Sequence, residues 1–178
     1  MGKRTRDIVG YTHQKQLASA DLWYKRSLSF YEAANILSKS SSKFSEPSDA
    51  YKHFLYNAAL SFELIFKAIL VARGMPVKPT HRLRELAEIA EVKLDDDQTH
   101  TLVLLTEYIT WVARYPAPKK EGEWDNFHDG IFPMHMIESA SGNTSMVMAH
   151  PKRFPSVQNC KKIWDICLSK YRSIEDKP

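Results

Sequence analysis

The sequence predicts an all-α protein, an up-and-down bundle of four to five helices with an irregular insertion before the last one. Three observations carry this. Apolar residues recur at three- and four-residue intervals through the long stretches of the chain. Runs rich in Ser, Pro and Asp, such as "SKSSSKFSEPSD" (38–49), separate those stretches. Only 6 glycines in 178 residues argue against a β-rich or Gly-loop architecture.

The elements follow in order. Residues 1–12 hold Lys3, Arg4 and Arg6 without apolar patterning and read as a flexible basic leader; a single helical domain is expected over 13–178. From His13 to Lys39, Leu17, Trp23, Leu28, Tyr31, Ala34 and Leu37 form a helical stripe. The next helix spans about 50–73, with Ser48 or Asp49 as N-cap and Gly74 just past its end, where a left-handed residue ends a helix cheaply. Thr80 and the comb Leu83, Leu86, Ile89, Ala90 give a shorter helix to Glu91. "DDDQ" (95–98) places acid at the start of another, favourable for the helix dipole, which runs to Arg114 and is stopped by Pro116 and Pro118. Residues 116 to about 153 are irregular, and "MHMIES" and "TSMVMAH" around "ASGN" suggest a small β-hairpin. Pro155 fits the first turn of the last helix, whose core positions are Cys160, Ile163, Trp164, Cys167 and Tyr171.

The second long helix is the least ordinary. "HFLYNAALSFELIFKAILVARG" leaves no solvent face of normal width, because its polar residues are scattered among apolar ones. It is expected at the centre of the bundle or buried on two sides by core and second subunit. Glu63 and Lys67, at i and i+4 in the favoured order, form an ion pair at the core edge or face a polar cleft.

Charge and cysteine content bound the rest. A net charge of +4 and a pI near 9.0 accommodate a nucleotide or RNA partner without demanding one. Cys160 and Cys167 lie two helical turns apart, about 10 Å, too far for a disulfide, so buried reduced thiols and a reducing compartment are expected. Residues 1–16 lack the apolar core of a signal peptide, and the longest apolar stretch is interrupted by Glu63 and Lys67, so the expectation is a cytoplasmic protein without a membrane partner. His128, His135 and His150, with Asp125 and Asp129, have no convincing ligand spacing, so neither metal nor cofactor is expected. No phosphate-cradling glycine loop and no nucleophile elbow is present.

"AALSFELIFKAILVARGMPVKPTHRLRELAEIA" followed by "LTEYITWVARYP" resembles the HEPN family of small helical domains over about residues 50–118. The resemblance rests on Glu63 and Lys67 in E-x-x-x-K-A, the Arg73-Gly74 helix end, Thr80-His81 before Leu83-x-x-Leu86, and Arg114-Tyr115-Pro116. It implies a bundle that is often a homodimer, linked to nucleotide or RNA binding, and found beside nucleotidyltransferases or in toxin–antitoxin pairs. Ribonuclease members carry a His four to six residues after a late Arg, where His moves protons and Arg steadies the charged phosphorane. Here Lys119, Lys120 and Glu121 hold those positions. The expectation is therefore a binding module with no catalytic residue, and an anion site drawn from Arg114, Lys119, Lys120, Lys67, Glu63 and His81. Two alternatives stay open. One is a ribonuclease toxin in which His81 or His128 reaches Arg114, and the other is a structural subunit presenting its apolar helix to a partner.

Overall fold

The computed structural model describes residues 13–141 and 144–175; the expected leader, 1–12, lies outside them. The described residues form seven α-helices and one hairpin. They are α1 (His13–Leu17), α2 (Ala20–Leu37), α3 (Pro47–Ala72), α4 (Leu83–Ile89), α5 (Asp96–Glu107), α6 (Glu121–Asp125), β1 (Met136–Ser141), β2 (Thr144–Ala149) and α7 (Val157–Glu175). The expected bundle is α2, α3, α4, α5 and α7.

α3 is the axis of this bundle. It packs most extensively on α2 and also touches α4, α5 and α7. That explains its composition: Phe54, Leu55, Phe62, Ile65, Phe66, Ile69 and Leu70 are all buried, on several sides of one helix. By length and composition alone α3 could cross a membrane, but most of its apolar window is buried inside the protein, as in the core helix of a globular domain. Two stacked aromatic pairs, Tyr24–Tyr171 (4.7 Å) and Tyr31–Trp164 (4.1 Å), close α2 against α7. Ser27 Oγ donates to the Ser61 carbonyl at 2.8 Å and ties α2 to α3 in the core. Both cysteines are free and buried on α7, and burial pushes the Cys160 thiol up to about 12.

Several helix ends differ from the sequence reading. The expected helix 13–39 is two, because Ser19 breaks it and caps α2 by accepting from the Leu22 N–H. α3 begins at Pro47, earlier than a Ser48 or Asp49 cap would allow; proline at the first position fits an N–H that would be unpaired anyway. Pro155 precedes α7 rather than entering its first turn, and Ser156 Oγ accepts from the Asn159 N–H instead. Gly74 does what was expected. At φ +70° it lets its own N–H reach Val71 O and the Met75 N–H reach Leu70 O, both at 2.9 Å. α4 ends the same way, with Glu91 at φ 54° in the left-handed position and held by Arg73.

The insertion holds more regular structure than expected. α6, a π-helical turn (Asn126–Ile131) and a short 3-10 turn lead into the antiparallel hairpin, with Met136 opposite Ala149 and Glu138 opposite Val147. His135 fastens this segment to the bundle. It is fully buried, with Nδ1 2.7 Å from Ile131 O and Nε2 2.8 Å from His100 O. Two carbonyls favour a doubly protonated ring, but burial outweighs them and pulls the pKa below its usual value.

Candidate functional site: a cleft at the end of the fifth helix

The expected site residues fall into two groups. Glu63 and Lys67 lie on α3 inside the bundle, 5% and 7% exposed. Lys67 Nζ donates to Glu63 Oε1, and His81 Nδ1 lies 2.8 Å from Glu63 Oε2. A carboxylate only accepts, so His81 donates there. Both oxygens of Glu63 are thus occupied and its charge is balanced by Lys67. His81 itself stays largely exposed, at the rim of this pair.

The second group is built by the end of α5. Asp95 starts α5 with a capping box, its side chain accepting from the Gln98 N–H while Gln98 Oε1 accepts from the Asp95 N–H. The helix then widens into a π-helical turn over Tyr108–Val112, where Ala113 N–H reaches back to Tyr108 O. Such turns recur at functional sites because the extra residue re-aims the side chains that follow. Thr106, Glu107, Thr110 and Trp111 form one wall of a cleft of about 570 Å3, within the range of small-molecule sites. Tyr115, Pro116, Ala117, Pro118 and Lys119 form the second wall, and Glu123 and Asn126 close it from α6 and the turn after it.

Arg82 completes the lining, and its placement has a cause. Its N–H donates to Thr80 Oγ1, and the next residue, Leu83, donates its N–H to Thr106 Oγ1 at 3.1 Å. The start of α4 is thereby held against α5, beside the cleft. The same connection puts Arg82 directly after His81, so the α3 pair and the cleft are joined through one short segment.

Glu107 is the unusual member. It is half-buried, its Oε2 accepts from Trp111 Nε1 at 2.9 Å, and Oε1 has no hydrogen-bond partner among the described residues. Burial, with Glu123 adding repulsion, pushes its pKa up against the Trp111 bond. Trp111 is fixed in turn by Phe127, edge-on at 5.2 Å, and by Trp124 at 5.9 Å.

Of the expected anion-site residues, the structure brings Lys119 into the cleft and sets Arg114 and Lys120 beside its wall in sequence. Arg114 is exposed; its guanidinium lies 5.1 Å from the centre of the Tyr115 ring, and Nη2 donates to the Tyr115 hydroxyl at 3.1 Å. It therefore braces a wall residue. Neither His that might have joined Arg114 bonds to it: His81 is on Glu63, and His128 lies tilted against Trp124 with ring centres 4.3 Å apart. No three His, Cys, Asp or Glu side chains converge as a metal site among the described residues. Sequence reasoning missed Glu107, Trp111, Thr106 and Thr110. Their spacing was the available signal, since a Glu and a Trp four apart late in an apolar helix share one face.

No curated protein matches the chain significantly, and no solved structure does so either. A family model, described as HEPN domain, matches residues 20–137, well over half of the 178 residues, and this range includes every cleft residue. It begins at α2 and ends in β1, so α6 and the turns after it belong to the matched region while α7 lies beyond it. The chain belongs to the HEPN domain family.

Proposed function

We propose that this domain is a nucleotide- or RNA-binding module, and that the ligand sits in the cleft at the end of α5. One observation carries the reading: a single cleft is lined by two cationic side chains, Arg82 and Lys119, together with the aromatic residues Trp111 and Tyr115. Phosphate needs the first and a planar base the second. Both cations are exposed at the lip, where they can meet a phosphate still partly hydrated, while Trp111 is only 8% exposed and supplies apolar contact deeper in.

Binding, rather than phosphodiester cleavage, fits the residues best. Lys119, Lys120 and Glu121 stand where a ribonuclease of this family would hold its His, and among the described residues no His bonds to Arg114. The test is thermal stability of the purified protein with AMP, GMP, ATP and a short single-stranded RNA, alongside Lys119→Ala. At a hundred times its dissociation constant a ligand stabilises the fold by about 2.7 kcal/mol, a shift of several degrees for this size. The expected result is stabilisation of the parent, weakened by added salt and reduced in Lys119→Ala. Free nucleotides alone, or RNA alone, would select between the two ligand forms. No shift with any of them would remove this reading in favour of a protein-interaction subunit.

A further inference from the structure

We propose that Glu107 makes the cleft selective for a guanine-type base edge, in which a ring N–H and an amino group lie side by side. The inference rests on the nucleotide-binding reading above and concerns which base the same cleft accepts.

A carboxylate offers about four lone-pair positions and no donor. At Glu107 one of these is taken by Trp111 Nε1–H, a bond between residues four apart on one helix that fixes the carboxylate while leaving Oε1 available. No salt bridge to Glu107 forms among the described residues, and the charged neighbour that acts on it is another carboxylate, Glu123. The group is therefore short of compensating positive charge in a half-buried setting, a condition that donors from a ligand would relieve. Glu63 shows the contrast, with both oxygens already used inside the protein.

The four bases differ in what they can offer. Guanine presents N1–H and the 2-amino group together, two parallel donors for one carboxylate. Adenine and cytosine place a ring lone pair beside their amino group, and uracil has a single N–H between two carbonyls. Each of these sets at least one acceptor against the Glu107 oxygens, leaving a partly buried polar atom unpaired. The flat apolar sides of Trp111 and Tyr115 suit any base, and Arg82 and Lys119 suit any phosphate, so neither pair discriminates.

The experiment is calorimetric titration of the full chain with GMP, IMP and AMP, for the parent, Glu107→Gln and Lys119→Ala. All three ligands carry the same ribose phosphate, and IMP keeps N1–H but lacks the amino group. The expected order is GMP, then IMP, then AMP, with about a tenfold or greater span between the ends, as a two-bond base contact provides. Glu107→Gln keeps the size and an acceptor for Trp111 but brings an amide donor, so it should lose the GMP preference while AMP binding holds or improves. Glu107→Asp, with the carboxylate drawn back by one methylene, should narrow the preference without reversing it, and it stands in if the Gln variant fails to fold. Lys119→Ala should weaken all three ligands alike. Equal binding of GMP and AMP that Lys119→Ala weakens would overturn the Glu107 assignment and leave the nucleotide site intact. No binding of any of the three would overturn both.

Discussion

Two glutamates on neighbouring helices, Glu63 buried and Glu107 half-buried, solve the same physical problem in opposite ways. Glu63 sits deep on α3 with Lys67 on one oxygen and His81 on the other, so its charge is matched and each oxygen has a partner inside the protein. Glu107 is less buried but has only the Trp111 indole, a carboxylate neighbour and an open cleft in front of it. A saturated ion pair has no capacity left for a ligand, whereas an undersatisfied carboxylate at a cavity is held at a cost that binding can offset. Burial of a charge is thus a poor guide to function by itself; the partner count separates the two.

Breaking the α3 pair should give the largest effect. Lys67→Ala strands Glu63 in the core with His81 alone and is expected to cost about 3–5 kcal/mol in urea denaturation. Pairing it as Glu63→Gln with Lys67→Met should recover much of that loss. A loss under 1 kcal/mol for Lys67→Ala would mean that water reaches Glu63 and that the pair is not the saturated one described.

The hairpin anchor comes next. His135→Ala removes the ring that bridges the His100 and Ile131 carbonyls and should cost about 1–3 kcal/mol. The pH dependence has a definite sign. The folded pKa lies below the usual 6.5, so this contribution is complete above 6.5 and is lost as pH falls through the folded value. The parent should therefore lose stability on acidification faster than His135→Ala does. Gly74→Ala is smaller: no atom lies within 4 Å of the added methyl, but φ of +70° costs an L-residue about 1 kcal/mol, read as a Tm lowered by several degrees.

Glu107→Gln sharpens the comparison most, through a rise in stability. With the folded pKa of Glu107 raised above 4.5, the ionised carboxylate destabilises the fold at pH 7, and the penalty disappears below pH 4.5 where it is protonated in both states. The variant should melt higher than the parent at pH 7 and equal to it at pH 4. A parallel change at Glu63 should do the reverse at pH 7, since it breaks a satisfied pair.

These pairs also show what the sequence could and could not disclose. The bundle, the central place of α3, the Gly74 helix end and the Glu63–Lys67 pair were legible because each depends on spacing within one helix or on a backbone requirement of one residue. The break at Ser19 was hidden because the apolar stripe continues across it, and a serine reads as a cap only once the chain is seen to turn. Lys119 was legible beside its prolines. Arg82 was legible as part of a basic rim with His81 and Arg84, but not as a cleft residue, because that place depends on a bond between Leu83 and Thr106, 23 residues apart. Glu107 was passed over for a related reason: its partner Trp111 was visible at i+4, but the cavity in front of it is made by the proline loop and α6, which periodicity does not describe.

The most direct test follows the Trp111 indole N–H by two-dimensional NMR, its peak identified by Trp111→Phe, while AMP and GMP are added separately. The account predicts a saturable shift of this peak together with backbone peaks of residues 106–119 and Arg82, and little change at Glu63 or Lys67. Shifts centred on Glu63 and Lys67 with the Trp111 peak unmoved would contradict it, and would return the α3 pair to the place the cleft now holds.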